Sequence, residues 1–225
     1  MSIEQSVPPI QGPFRPQKPI VLASASPRRQ ALLTGLGIYF QVQASNISEP
    51  APEPGGSARE YVRRMAELKA RAVARQKAPA VILAADTVVV IENDILGKPE
   101  SIPQALHMLN RLNACTHLVL TGCCLMDQTA ESESIQTFVV CTQVTFSQHP
   151  VEILTAYACC GEPMGKAGAY AIQGVGAFLV SHIHGSYTNV VGLPLNETVT
   201  ALKDMQAITL RTGKESSQAI HPPLK

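Results

Sequence analysis

Arg28 and Arg29 stand together in IVLASASPRRQALL (20–33), with Ser24 and Ser26 just before them. Guanidinium forks, hydroxyls and free backbone N–H groups at a helix start are what a phosphate group needs. Asp86 interrupts AVILAADTVVVI (80–91), whose only other polar residue is Thr87. A carboxylate in such a run is costly unless paired, hydrogen-bonded or metal-bound, and expensive buried charge tends to mark a site. Lys98 lies in Gly97-Lys98-Pro99, where glycine permits close approach and lysine offers a flexible point charge. Lys166 sits in a Gly-rich loop and is a second candidate for a phosphate oxygen. Gln173 carries both donor and acceptor groups and can read a pyrimidine edge. Anion binding beside a carboxylate is the chemistry suggested. The plainer readings stay open: a solvated arginine pair, a turn lysine, a strand-end glutamine in water.

The elements around these residues follow from local pattern. Residues 20–23 form a short apolar strand. Ser26 is a suitable N-cap, Pro27 suits the first helical position, and Gly35 and Gly37 can end the helix. Both arginines then fall in a first helical turn. The macrodipole disfavours cations there, which points to a bound anion. Residues 38–44 alternate as a strand, and 45–56 form a loop carrying Glu49 and Glu53. A helix over 57–77 opens on a Ser57/Glu60 capping box, with Tyr61, Met65, Leu68 and Ala72 as its apolar stripe. Lys69 lies beside that stripe, where a lysine can snorkel.

Residues 80–91 read as a central strand, followed by a hairpin turn at 92–94. A helix over 101–112 has Ser101 as cap and Ala105, Met108, Leu109 and Leu112 facing inward. Strands follow at 117–126 and 135–147 with a polar connection over 127–134. His117 reads as a strand-edge histidine bonded to backbone, with a catalytic role as the alternative. A helix over 151–160 ends at Gly161, residues 169–172 read as a strand, and Pro194 opens a last helix to about residue 205. Residues 1–18 read as a flexible leader and 207–225 as a polar tail, with one domain over 19–206.

The totals narrow the function classes. The chain has 225 residues, 45% of them hydrophobic, and a net charge of +1. A substantial core is expected, and no global positive field exists to attract a nucleic acid polymer. No apolar run approaches the roughly 18 residues of a membrane span, and no secretory signal is visible. The six cysteines include no CxxC. Cys123-Cys124 and Cys159-Cys160 read as small core residues, reduced as in a cytoplasmic protein. His182 and His184 share a strand face, but no third metal ligand is apparent nearby.

SASPRRQALL, AADT, GKP and EPMGKAGAYAIQGVGAFLVSHIHGSYTNVVGLPL (162–195) occur in that order. As a set they resemble the signatures of the Maf family of nucleoside triphosphate pyrophosphatases, also described as septum-formation inhibitor proteins. The resemblance covers roughly 19–206. It implies an α/β fold of the inosine-triphosphatase-like type: a mixed, strongly twisted sheet with flanking helices, forming two lobes around a cleft. It also implies hydrolysis of a nucleoside triphosphate to the monophosphate and pyrophosphate with Mg²⁺ or Mn²⁺, by a homodimer.

Residue by residue, Lys69 matches a lysine assigned to substrate binding, and Ser24, Ser26, Arg28, Arg29, Lys98 and Lys166 are the further substrate-binding candidates. Asp86 matches the proposed proton acceptor. Thr87 and Gln173 match positions that influence which base is accepted. His117 begins a match to an H-x-V-x-T-G strand. An acidic pair usual in the family is here Ser48-Glu49, which leaves Glu49, with Asp86, as the candidate metal ligand. Gly165 stands where an aspartate is usual. GSYTNVVGLPL resembles the branch acting on dTTP and UTP; the branch acting on 7-methyl-GTP differs there. A non-catalytic nucleotide-binding regulator of cell division is the alternative, and Ser48 and Gly165 are the residues that favour it.

Overall fold

The structure, a computed structural model, describes residues 12–53, 55–76, 79–129 and 133–211. In chain order the elements are β1 (Phe14–Pro16), β2 (Ile20–Leu22), α1 (Pro27–Gly35), β3 (Gln41–Val42), α2 (Ala58–Ala74), β4 (Val81–Ile91) and β5 (Asp94–Leu96). They continue with α3 (Ile102–Leu112), β6 (Thr116–Asp127), β7 (Ser134–Phe146), α4 (Val151–Cys159), β8 (Val180–His184), α5 (Tyr187–Val191), α6 (Leu195–Asp204) and β9 (Ile208–Leu210). The main sheet runs β3-β2-β4-β6-β7-β8, and β5 pairs with β4. β3, β2 and β4 are mutually parallel, and the other pairings are antiparallel. This is a mixed α/β architecture, as the sequence implied.

β4 organises the interior. Its odd residues Val81, Leu83 and Ala85 join a core with Leu33 of α1 and Leu202 of α6. Val89 and Ile91, on the same face, join a second core with Leu109 of α3 and Leu154 of α4. On the other face Ile82 and Ala84 pack with Ala66, Ala70 and Val73 of α2, while Val88 and Val90 pack with Val62. Each fully buried Val, Ile or Leu contributes roughly 2 kcal/mol. Both faces are interrupted at the same point, by Asp86 and Thr87. Two lobes therefore meet where β4 turns polar.

The sheet is interrupted there too. Along one edge β6 pairs with β4 from Val81 to Val90. Along the other, β2 covers Val81 to Leu83 and β5 covers Val89 to Ile91. Residues 84–88 have no strand partner on that edge among the described residues. The hairpin joining β4 to β5 has only Glu92 and Asn93 between paired residues, both at positive φ (52° and 69°), as a type I′ turn requires.

Several expectations are corrected. The buried face of α2 is Val62, Met65, Ala66, Lys69, Ala70, Val73 and Ala74, with Leu68 exposed. The stripe is thus rotated by about one residue, because small alanines allow close packing on the sheet, and Lys69 lies inside it. The helix over 57–77 ends earlier, at Ala74, and residue 77 lies outside the described residues. The strand over 38–44 shrinks to Gln41–Val42. Residues 169–172 form no strand: Gly168 and Ala169 are left-handed (φ 67° and 60°), and 3₁₀ turns at Ala167–Ala169 and Val175–Leu179 flank the segment.

Cys159 and Cys160 are exposed, because α4 buries Leu154, Tyr157 and Ala158 instead. His117 is not at a sheet edge. β6 lies between β4 and β7, so the ring is buried and bonds the Tyr170 hydroxyl at 2.9 Å. The expected leader and tail meet: Phe14–Pro16 pairs with Ile208–Leu210. Residues 1–11, 130–132 and 212–225, parts of the expected leader, polar connection and tail, lie outside the described residues.

Candidate active site

The gap beside residues 84–88 opens into a cleft of about 460 Å³. Ser24, Ser26, Arg28, Arg29, Glu49, Lys69, Asp86, Thr87, Lys98, Lys166 and Gln173 all line it. Residues expected from separate segments therefore surround one space. Five are cations and two are carboxylates.

The first wall is β4 with the elements packed on it. Asp86 points to the α2 face, where its Oδ1 accepts a 2.6 Å bond from Lys69 Nζ. The same ammonium stands 2.9 Å from Glu49 Oε1. α2 comes this close because Gly122 of β6, paired with Asp86, has no side chain; a Cβ there would stand 2.4 Å from the Val62 carbonyl oxygen. Burial pushes the Glu49 carboxyl up, but the Lys69 hydrogen bond and the charges of Lys69, Lys98 and Arg29 outweigh it, so Glu49 lies below its ordinary value.

Thr87 points to the opposite face, where Arg29 is held. Arg29 Nε donates to the Gly192 carbonyl at 2.7 Å, Nη1 to Ser24 Oγ at 3.2 Å and Nη2 to Thr87 Oγ1 at 2.9 Å. Three of its five N–H groups are thus engaged by the protein. Arg28 has no hydrogen-bond partner among the described residues. The two adjacent arginines therefore differ: Arg29 shapes the wall, and Arg28 is available to a ligand. Ser26 occupies the N-cap position of α1 without a side-chain cap bond, so its hydroxyl is not spent on the helix.

Behind Thr87 lies a relay that the sequence reading missed. Thr87 Oγ1 is 2.9 Å from Thr121 Oγ1, which donates to the Asn189 carbonyl at 3.1 Å. The buried Asn189 amide donates to the Val119 carbonyl and to Thr142 Oγ1, each at 3.0 Å. It fixes α5, and with it Val190, Val191 and Gly192 in the cleft. The available signal was an asparagine inside the otherwise mostly apolar run TNVVGL.

The second wall is built from loops. Asn46 and Ile47 line it beside Glu49, while Lys98, Gly165, Lys166 and Gln173 line it from two further loops. Lys98 and Gln173 are exposed. The 162–179 segment is tied down by Glu162, whose carboxylate accepts from Val175 N (2.9 Å), Gly176 N (2.8 Å) and the Tyr157 hydroxyl (2.8 Å). The Lys166 ammonium donates to the Glu162 carbonyl. Gly165 is left-handed (φ 73°), with open space where a side chain would stand. Ser48 is exposed.

Charge crowding is visible across the cleft. Burial lowers Arg28, Arg29 and Lys166 from their ordinary values, and repulsion from Arg28 lowers both Arg29 and Lys166 further. Such a set of cations favours an anion between them. Among the described residues no group of three or more His, Cys, Asp or Glu stands together to hold a metal ion. His182 and His184 are exposed on β8, away from the cleft. Cys123 and Cys124 are buried, with burial pushing both thiols up to about 12, so they stay protonated at neutral pH. No helix of the described residues is long and apolar enough to cross a membrane.

A sequence model of the family described as Maf-like protein matches residues 19–205. Among similar curated proteins, one from Nitratidesulfovibrio vulgaris named dTTP/UTP pyrophosphatase is 48% identical, over 92% of this chain and 98% of its own. Proteins of the same name from Oleidesulfovibrio alaskensis and Myxococcus xanthus are 42% and 49% identical, over 95% and 82% of this chain and 97% and 91% of theirs. With a match across nearly all of the folded residues and relatives this similar, the chain belongs to the Maf-like protein family.

Proposed function

We propose that this protein hydrolyses dTTP and UTP to the nucleoside monophosphate and pyrophosphate. The observation that carries the proposal is the meeting of Asp86, Glu49 and Lys69 at the sheet gap, inside a cleft ringed by Arg28, Arg29, Lys98 and Lys166. The name shared by the similar proteins supplies the substrates.

In this reading the triphosphate lies among the cations, with Ser24, Ser26 and the start of α1 contributing hydroxyls and N–H groups. Gln173 and Thr87 face the base. Asp86 takes a proton from water as the water oxygen bonds to the α-phosphorus. The bond from that phosphorus to the oxygen bridging to the β-phosphate breaks, and pyrophosphate leaves with the electron pair. The cationic walls offset the charge that develops on the phosphates.

A divalent cation fits the donor set. Asp86 and Glu49 already converge on one positive centre, the Lys69 ammonium, which acts as a stand-in. Two carboxylates plus water and phosphate oxygens are a usual set for Mg²⁺. Held there, Mg²⁺ or Mn²⁺ would act as a Lewis acid on phosphate oxygens and bound water. A homodimer and a cytoplasmic location belong to the same proposal, tested by sedimentation velocity and cell fractionation.

The deciding experiment is pyrophosphate release from dTTP, UTP, CTP, GTP and 7-methyl-GTP with Mg²⁺ or Mn²⁺, for wild type and Asp86→Asn. The expected result is turnover of dTTP and UTP that falls about a thousandfold in the variant. Turnover of 7-methyl-GTP instead overturns the specificity. Nucleotide binding without any turnover overturns the enzyme and leaves a nucleotide-binding regulator.

A further inference from the structure

Lys69 is rooted on the buried face of α2, and its side chain is 9% exposed. Its ammonium lies 2.6 Å from Asp86 Oδ1 and 2.9 Å from Glu49 Oε1. Two of its three N–H donors are therefore directed at carboxylates rather than into the cleft. The anchors differ in freedom. Asp86 is fixed on β4 with its side chain 10% exposed, whereas Glu49 sits on the loop after β3 with its side chain 37% exposed. The stem of Lys69 is packed and its end lines the cleft, so rotation about its terminal torsions is the movement that would carry the ammonium to a bound anion.

One position cannot hold two cations. A divalent ion that takes Asp86 Oδ1 and Glu49 Oε1, the two oxygens that now face Lys69, must stand where the ammonium now stands, and like charges at such separation exclude one another. We infer that Lys69 is a resident counter-cation that keeps this carboxylate pair closed to divalent metal until a triphosphate binds. The phosphates then draw the ammonium toward themselves and free the pair. Lys69 thus changes partners between the empty and the loaded site. The inference rests on the cleft being a triphosphate site. It adds that metal binds poorly to the empty protein and that metal and nucleotide assist each other's binding, a coupling that is reciprocal by linkage. An empty cleft then holds no metal-activated water.

The test uses the full chain without nucleotide and Mn²⁺ alone as the probe, titrated by calorimetry and by electron paramagnetic resonance. Lys69→Met keeps the stem and removes the charge. It is expected to bind Mn²⁺ at least tenfold more tightly than wild type at pH 7.5, and adding Glu49→Gln is expected to reverse the gain. Equal affinity in wild type and Lys69→Met overturns the inference, as does a gain that survives Glu49→Gln. A wild-type measurement decides independently of whether the variants fold. Micromolar Mn²⁺ that broadens the backbone amide resonances of residues 49 and 86 in the nucleotide-free protein overturns the inference; unchanged resonances support it. Because no nucleotide is present, these results stand apart from the dTTP and UTP turnover assay, and failure of either is recognisable separately.

Discussion

The two walls of the cleft are made differently. The wall on β4 is interlocked: Arg29 reaches three protein acceptors, Thr87 leans on Thr121, and the buried Asn189 fastens α5 behind them. The facing wall hangs its charges on loops, with Lys98 and Gln173 exposed and the 162–179 segment held mainly through Glu162 and the tyrosines beneath it. In the proposed reaction the groups that must meet reacting atoms at fixed distance belong to the rigid side, where packing and hydrogen bonds lock their rotamers. In the same proposal Lys98 and Lys166, which need only supply positive charge, belong to the side free to adapt to a flexible triphosphate. Stability and function should accordingly separate between the walls.

The largest effect is expected beneath the loop wall, where Tyr170 meets His117. His117 is buried against Phe146 and Tyr170, and burial lowers its pKa from 6.5 to about 4. The folded state therefore favours the neutral ring, while the unfolded state takes up a proton between pH 6.5 and 4. The stability from this group is present above pH 6.5 and is lost as pH falls through about 4, amounting to about 3 kcal/mol. His117→Gln, which can still bond the Tyr170 hydroxyl, should remove that part of the pH dependence in urea unfolding. An unchanged difference between pH 7 and pH 4.5 would place the dependence elsewhere.

Arg29→Lys comes next. A lysine cannot hold three divergent acceptors, so a loss of about 2 kcal/mol in unfolding free energy is expected together with loss of activity. Activity lost without any change in the urea midpoint would show that Arg29 serves the ligand alone. Lys98→Ala should do the reverse: about a tenfold rise in KM for dTTP, with the melting temperature unchanged. Destabilisation by Lys98→Ala would erase the distinction between the walls. Ser26→Ala should change stability by no more than about 0.5 kcal/mol, because the hydroxyl makes no cap bond. A loss of about 1 kcal/mol or more would restore it as a working N-cap.

Much of the rigid side was legible in the sequence. The lone carboxylate of AVILAADTVVVI marked Asp86, and Ser101 with four correctly spaced apolar residues marked α3. What escaped were features that depend on partners distant in the chain. Nothing local says that β2 and β5 divide one edge of β4 and leave the polar pair open between them. The inward turn of Lys69 was hidden because Tyr61 and Leu68 outweigh alanines in an apolar stripe, although alanines let α2 approach the sheet. The run at 169–172 has strand composition, yet left-handed residues just before it and at its start, Gly168 and Ala169, prevent pairing. Arg28 and Arg29 are alike in sequence, and only the position of Gly192 and Thr87 separates their roles.

The pairing of β1 with β9 has a topological consequence. The Arg211 amide donates to the Pro13 carbonyl at 2.8 Å, so the two ends of the described chain already touch. A short Gly/Ser bridge from residue 211 to residue 13, with new termini cut into the exposed turn at Glu92-Asn93, would make a circular permutant in which β4 and β5 stay paired but are no longer joined by their turn. In that permutant β1 and β9 become one continuous hairpin, and a covalent link holds shut what hydrogen bonds alone now close.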